Sequence, residues 1–240
     1  MMQGRLSVIR VVLVGPLYPV NIGSVCRVMK NFSARELFLI SPKTPINHEA
    51  IKYAKHAKDI LDKAKIVDSL DFALTGMDYV IGTTGVVPRF GYALKSCVSP
   101  KEMMGRFSKK DRIALVLGNE GTGLSLSDLQ KCDLLVSIPA VKRYGVLNLS
   151  HACAIVLYEL FFSKKRYSHY RHAKRSQVKF LEKMFSETIG GFGEIRDKKK
   201  VWTAFSNVLG RARPSDEELQ ALFVAFGGIR KRLNRKPPER

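Results

Sequence analysis

Cysteines are few in this sequence, and they lie far apart. Cys26, Cys97, Cys132 and Cys153 form no C-x-x-C pair and have no cluster of histidines nearby. This spacing argues against a disulfide framework and against the common zinc sites, and it fits a reducing cytoplasm. We therefore expect a cytoplasmic protein without a bound metal.

Long apolar runs are also lacking, and no segment approaches the length needed to span a bilayer. The N-terminal stretch SVIRVVLVGP has arginines nearby and no small-residue cleavage site. We interpret it as a first buried strand and not as a signal peptide, and we expect no membrane partner.

Acidic residues are scarce relative to basic ones. The 240 residues include 41 lysines and arginines but 21 acids, which gives a net charge of +20. Residues 163–240 hold 20 of the basic residues and 8 of the acids, so the last third carries most of the excess. Such a field attracts polyanions, and the charge predicts nucleic-acid binding. The alternative is a generally basic protein without that partner.

The phosphate-binding glycine motifs are absent. LGNEGTGL (117–124) places Glu120 among three glycines, but no Gly-Lys-Ser/Thr follows it, and no G-x-G-x-x-G follows the first strand. The chain is therefore a poor candidate for a nucleotide-hydrolysing switch. A nucleotide-like ligand would have to be held by several separate loops.

What the chain does contain is an alternation of strand-like and helix-like segments up to residue 162. Strands are predicted at VIRVVLVG, ELFLIS, DYVIGTT, IALVLGNE and LLVSIPA. Helices are predicted at Ile22–Phe32, Ile46–Leu61, near Leu126–Cys132, and at Leu147–Phe162. Because several strands are apolar almost without alternation, the pattern predicts an α/β fold with a mostly parallel sheet.

The composition changes near Ser163, which predicts three parts: a domain over residues 1–162, a basic linker over 163–176, and a helical extension over 177–240. Helices without strands are predicted there at Gln177–Ile189, Lys198–Arg211 and Ser215–Leu233. Ser215 with Glu218 three residues later has the pattern of a capping box.

The stretch NIGSVCRVMKNF (21–32) has an apolar stripe at Val25, Val28, Met29 and Phe32, and Asn21 is well placed to begin the helix. Arg27 lies opposite that stripe. Polar groups also follow the strands at GTTG (82–85), LGNEGTGL and IPAVKRYGVLNLSHA (138–152). Ligands bind α/β sheets beyond the carboxyl ends of the strands, so these groups predict a common site.

Read together, NIGSVCRVMKNF, LVLGNEGTGLS and IPAVKRYGVLNLSHACAIVLYE resemble the three motifs of the SpoU/TrmH branch of the SPOUT methyltransferases, over about residues 8–162. The region between the first two motifs and the C-terminal VLGRARPSDEELQALFVAFGGIRKRL are similar to the TrmJ subgroup, especially its archaeal members. That subgroup methylates the ribose 2′-hydroxyl at nucleotide 32 of tRNA.

The resemblance implies a C-terminal trefoil knot in the catalytic domain, a homodimer with its active site at the subunit interface, and S-adenosylmethionine as cofactor. By motif, the knot loops that hold the cofactor would comprise Thr83, Thr84, Gly85, Leu117, Gly118, Glu120, Gly121, Ile138, Gly145, Val146, Leu147 and Asn148. Helix Leu147–Phe162 would form part of the dimer interface, and an ordinary core helix is the alternative.

The resemblance also implies catalytic roles for Arg27, Asn21, Glu120 and Asn148. Arg27 matches an arginine that has been proposed as a general base in the family. Because a guanidinium is almost always protonated, we expect it to stabilise the developing alkoxide and to bind a neighbouring phosphate. The alternative is an ordinary surface arginine. Gly23, one turn before it, would let RNA or the partner subunit come close.

The other three residues have roles to be weighed against simpler ones. Asn21 would orient Arg27 or the substrate, Glu120 would fix arginine or RNA groups, and Asn148 would support the cofactor loop. The simpler alternatives are a helix N-cap for each asparagine and a surface acid for Glu120. Val146 departs from the family, which mostly has serine there, and any mechanism that needs the serine hydroxyl is in doubt.

RNA contacts are expected from Arg27 and from the mixture of cations and rings in the linker. The linker residues are Lys164, Lys165, Arg166, Tyr167, Tyr170 and Arg171. Two other functions stay open: the same chemistry at another tRNA or ribosomal RNA site, and RNA binding without catalysis.

Overall fold

The computed structural model describes residues 8–85, 97–104, 106–108, 110–162 and 172–233. The described residues up to Phe162 form one compact unit, and those from His172 onward form another. The expected boundaries at residues 162 and 176 stay predictions. The linker cations and tyrosines named above lie outside the described residues.

The strands of the first unit pair in parallel throughout. They are β1 (Val8–Val14), β2 (Glu36–Ile40), β3 (Lys65–Val67), β4 (Tyr79–Thr83), β5 (Cys97–Val98), β6 (Arg112–Leu117) and β7 (Leu134–Val136). Their order in the sheet is β3-β2-β1-β6-β4-β7-β5. The predicted α/β class and parallel sheet are therefore confirmed, and β3 and β5 are short strands that the sequence pattern did not indicate.

Helices cover both faces of this sheet. They are α1 (Pro19–Asn31), α2 (His48–Ala54), α3 (Lys58–Leu61), α4 (Leu70–Ala73), α5 (Leu126–Lys131) and α6 (Leu149–Phe162). Helices α1, α2 and α6 pack with one face of the strands in the larger apolar core. Residues of α4 and α5 belong to the smaller core on the other face. Burial on both faces explains why the central strands are apolar without alternation.

Helix α1 differs from its prediction at the N-terminus. It begins at Pro19 and not at Asn21, with Tyr18 as the extended N-cap residue. Proline suits the first helical turn because its missing N–H would have no intrahelical acceptor there. Asn21 is therefore inside the first turn, where its side chain is free for other contacts.

The predicted helix Ile46–Leu61 is interrupted. Lys55 has a φ of 50°, and a 3₁₀ turn over Lys55–Ala57 separates α2 from α3. Helix α6 begins at Leu149 and not at Leu147, because Asn148 caps it: its Oδ1 accepts from the backbone N–H of Ser150 at 2.9 Å.

Gly23 lies against α2, which contradicts the expectation that it leaves room for RNA or a partner subunit. A Cβ on Gly23 would lie 2.2 Å from the carbonyl oxygen of Ala50 and 2.8 Å from the backbone nitrogen of Ala54. The glycine is therefore needed for the close approach of two helix backbones.

The second unit is formed by α7 (Arg175–Gly190), α8 (Lys198–Ala212) and α9 (Asp216–Leu233). Phe185 stacks on Phe205 with ring centroids 3.9 Å apart. Phe205 also packs against a small apolar core that contains the buried Leu181, Leu209 and Leu219. The capping box of α9 is present, since Glu218 N–H donates to Ser215 Oγ at 3.1 Å and Ser215 N–H donates to Glu218 Oε2 at 2.6 Å.

Candidate active site

Two adjoining cavities open at the carboxyl edge of the central strands. The first cavity, of about 380 Å³, lies beyond β4, β6 and β7. The second cavity, of about 480 Å³, lies beside the N-termini of α1, α2 and α6. Glu120, Val146, Leu147 and Leu149 line both cavities and form a shared wall. The sizes are those of small-ligand sites.

The first cavity contains most of the positions that the resemblance assigned to the cofactor. Its lining includes Thr83, Thr84, Gly85, Leu117, Gly118, Glu120, Gly121, Ile138, Gly145, Val146 and Leu147. Asn148 lies outside this lining and lines the second cavity. The structure therefore gathers three separate loops around one space, although their ligand stays a prediction.

The side chain of Asn119 stabilises the turn in the loop after β6. The sequence motifs did not single out this residue. Its Oδ1 accepts from the backbone N–H groups of Gly121 at 2.9 Å and Thr122 at 2.8 Å. The preceding turn needs glycine, because a Cβ on Gly118 would lie 2.0 Å from the carbonyl carbon of Gly123. Asparagine is typical at such a position, because its side chain hydrogen-bonds backbone N–H groups two and three residues further along the chain.

A chain of hydrogen bonds joins one polar residue from each of the three motifs. Asn21 Nδ2 donates to Glu120 Oε1 at 2.5 Å, and Asn148 Nδ2 donates to Asn21 Oδ1 at 3.0 Å. The backbone N–H of Leu17 donates to Glu120 Oε2 at 2.9 Å. Residues 21, 120 and 148 are thus brought together from three distant parts of the sequence, and Asn148 both caps α6 and takes part in this chain.

Arg27 is not brought to these residues. Its side chain is exposed on α1 and lines neither cavity. Among the described residues it has no hydrogen-bond or ion-pair partner. One subunit therefore contains the Asn21–Glu120–Asn148 chain without the arginine beside it.

Val146 is exposed over 59% of its surface and lies against the loop after β4. A Cβ on Gly85 would approach Val146 Cγ2 to 3.2 Å, so glycine at 85 leaves room for the branched side chain. The valine occupies the shared wall, where the family more often has a hydroxyl.

Two cysteine thiols on α1 and α6 are unreactive because they are buried. Cys26 on α1 and Cys153 on α6 are fully buried, and burial raises the pKa of Cys26 to about 12 and raises that of Cys153 as well. Both thiols stay neutral and pack as small hydrophobic groups. Within the described residues, no group of His, Cys, Asp and Glu is arranged to hold a metal ion, and no helix is long and apolar enough to cross a membrane.

The fold and the loops define an α/β protein with a small-ligand site at the carboxyl edge of a parallel sheet. The model of the SpoU rRNA methylase family matches residues 8–158, and the chain belongs to that methyltransferase family.

Known proteins resemble the chain at several levels. The tRNA (cytidine-2′-O-)-methyltransferase TrmJ of Methanocaldococcus jannaschii is 37% identical over 225 residues, covering 91% of this chain and 98% of that protein. The crystal structure of TrmJ from Z. mobilis ZM4 matches with a TM-score of 0.69 at 21% identity, covering 93% of this chain and 99% of that one.

A third similar structure is the SpoU methyltransferase AviRb from Streptomyces viridochromogenes in complex with AdoMet. It matches with a TM-score of 0.53 at 22% identity, covering 68% of this chain and 60% of that one. At this level of identity the likeness concerns the fold alone.

Proposed function

We propose that this protein transfers a methyl group from S-adenosylmethionine to the ribose 2′-hydroxyl of nucleotide 32 in the anticodon loop of tRNA. The observation that carries the proposal is the Asn21–Glu120–Asn148 chain on the wall between two adjoining cavities. Similarity over nearly the whole length to a tRNA 2′-O-methyltransferase supports the substrate.

The lining of the first cavity fits S-adenosylmethionine, which supplies a methyl group on a sulfonium, a good leaving group. Leu117, Ile138 and Leu149 offer apolar surface for a flat ring. Gly85, Gly118 and Gly121 leave backbone amide and carbonyl groups uncovered for hydrogen bonding. Thr83 at the end of β4 and Thr84 in the loop after it add hydroxyl groups to the lining.

The chain's own groups position the accepting oxygen. Asn21, Glu120 and Asn148 are already hydrogen-bonded to one another, so they form a rigid set that orients the ribose at the shared wall. Arg27 supplies a cation that stabilises negative charge on the 2′-oxygen while the hydroxyl proton passes to solvent, and that binds a neighbouring phosphate.

Because Arg27 is exposed and lies outside both cavities, the proposal includes a homodimer in which Arg27 of one subunit serves the site of the other. Exposed apolar residues on α6 support such an interface: Tyr158 is 48% exposed and Ile155 is 36% exposed. The trefoil knot is part of the same proposal. It is supported by the strand order, in which β7 lies beyond β4 while α6 returns to pack on α1.

In this proposal the helical unit and the basic linker bind tRNA. Residues 163–240 carry 20 lysines and arginines against 8 acids. The first turn of α8 contributes Lys198, Lys199 and Lys200 to that charge. Contacts by Lys164, Lys165, Arg166, Tyr167, Tyr170 and Arg171 belong to the same proposal.

The test uses purified protein, labelled S-adenosylmethionine and unmodified tRNA transcripts, followed by nuclease digestion and mass spectrometry. We expect label on the ribose of nucleotide 32, and none on a matched transcript with 2′-deoxyribose at that nucleotide. Label elsewhere in RNA would keep the chemistry and overturn the target. No label despite tight tRNA binding would favour RNA binding without catalysis.

A further inference from the structure

We infer that the second cavity receives the base of the target nucleotide, and that the carboxylate of Glu49 selects cytidine there. The inference rests on the proposed function, and it assigns residues that neither the motifs nor the hydrogen-bond chain identified: Tyr18, Glu49 and Tyr144.

The position of the second cavity follows from the reaction. A methyl donor and its acceptor oxygen have to approach within about 3–3.5 Å before transfer. With the donor in the first cavity, the acceptor has to reach it from the adjoining second cavity, beside Glu120, Val146 and Leu147, which line both. The ribose and its base therefore enter the second cavity.

Two tyrosines make this cavity suitable for a nucleobase. Tyr144 is 82% exposed and Tyr18 is 56% exposed, although rings of this size are usually more buried. Their backbones are nevertheless fixed: Tyr144 N–H donates to the carbonyl of Val141 at 3.0 Å, and the carbonyl of Tyr18 accepts from Asn21 N–H at 3.1 Å. Exposed rings on fixed backbones are typical platforms for unstacked bases.

Glu49 is the acid that the second cavity adds to Glu120 among its described lining. Both oxygens of Glu120 already accept hydrogen bonds, from Asn21 and from the N–H of Leu17. The carboxylate of Glu49 is exposed and has no partner in the described part of the chain, whereas its backbone N–H is held by Asn47 Oδ1 at 3.0 Å. The backbone of Glu49 is thus fixed at the start of α2, and its carboxylate is an acceptor without a donor among the described residues.

A carboxylate distinguishes the two pyrimidines by what they carry at C4. Cytosine has an amino group there, which donates to a carboxylate, whereas uracil has an oxygen, which repels it. A carboxylate in a cavity that receives RNA repels the phosphates and so lowers the affinity for RNA in general. Its contribution is therefore to the choice between cytosine and uracil. This preference agrees with the cytidine named for the similar archaeal enzyme.

The test compares two tRNA transcripts that differ only in cytidine or uridine at nucleotide 32. We expect the wild-type kcat/KM to favour cytidine by about 10- to 100-fold, and Glu49→Gln to reduce this ratio to within about threefold of one. Asp62→Asn is the matched control, because it removes the same charge from an exposed site outside both cavities and should leave the ratio unchanged.

Tyr144 is tested without the cofactor. Pyrrolocytidine at nucleotide 32 should change its fluorescence when the protein binds and stacks it. Tyr144→Ala should abolish that change and lower kcat/KM on both transcripts by about 10- to 100-fold, whereas Tyr144→Phe should preserve both. Unchanged heats of S-adenosylmethionine binding by calorimetry show that each variant is folded.

The outcomes separate the inference from the proposed function. Transfer by the wild type with an unchanged ratio in Glu49→Gln, or with equal loss on both transcripts, would overturn the selection by Glu49 and leave the function standing. Pyrrolocytidine fluorescence that is unaffected by Tyr144→Ala would overturn the base pocket. Transfer to neither transcript by the wild type would overturn the function and the inference together.

Discussion

Arg27 and Asn21 lie on the same helix but on different sides of it. Asn21 is buried and hydrogen-bonded to Glu120 and Asn148, whereas Arg27 is exposed and outside the cavities. The two residues are six positions apart, which places them about 120° apart around a helix of 3.6 residues per turn. The first motif therefore places one polar residue in the candidate site and another on the exposed side of α1.

Replacing Arg27 should affect transfer and not cofactor binding. We expect Arg27→Ala to lower kcat on tRNA by about 10²–10³-fold, the usual cost of losing a donor to a developing oxyanion. The affinity for S-adenosylmethionine, measured by calorimetry, should stay within about twofold, because Arg27 does not line the first cavity. Arg35→Ala is the control, since Arg35 is exposed just beyond the same helix. Activity retained by Arg27→Ala would remove the arginine from the mechanism.

The residues of the site differ in how well the sequence could identify them. Glu120 and Asn148 fall in motifs whose spacing and order are specific, so the resemblance located them. Asn119 was recognisable only from its turn chemistry. Tyr18 and Glu49 belong to the N-termini of two different helices, and only the packing of α1 on α2 brings both to one cavity. Local pattern carries no information on such a juxtaposition.

At the level of elements, the packing of α1 on α2 depends on Gly23. A Cβ there would lie 2.2 Å from the carbonyl oxygen of Ala50, which is backbone and cannot rotate away. We expect Gly23→Ala to lower the free energy of unfolding by about 1–3 kcal/mol, as overpacking usually does, with a fall in Tm of several degrees. Ser24→Ala, at a half-exposed position of the same helix, should change it little. Equal stability of the two variants, with weaker tRNA binding by Gly23→Ala, would instead return Gly23 to the RNA-facing surface.

The strands that the sequence predicted are those with an apolar run long enough to be recognised, such as Val8–Val14 and Arg112–Leu117. Lys65–Val67 and Cys97–Val98 are 3 and 2 residues long at opposite edges of the sheet, and Ile66 is 61% exposed. Short edge strands form because a neighbour offers hydrogen bonds, and not because of their own pattern. The strand order, in which β6 lies between β1 and β4, also depends on contacts between distant segments, so the local sequence pattern does not predict it.

At the level of the whole molecule, the basic charge and the reacting groups belong to different parts. The cavities lie in the first unit, whereas residues 163–240 carry the larger charge excess. In the proposed function, residues 163–240 therefore attract tRNA at long range, whereas the cavities recognise one nucleotide. A substitution in either cavity should leave the salt dependence of tRNA binding nearly unchanged.

Sharing of the active site between subunits can be tested by mixing two inactive variants. Arg27→Ala keeps the Asn21–Glu120–Asn148 chain, and Glu120→Gln keeps the arginine. If Arg27 acts across the interface, a heterodimer of the two contains one intact site, because one subunit supplies Glu120 and the other supplies Arg27. Its second site carries both defects. Coexpressed and doubly tagged heterodimers should therefore recover about half of the wild-type kcat per dimer. If Arg27 acts within its own subunit, both sites stay defective, so a heterodimer no more active than its parents would place the arginine in the subunit that carries it.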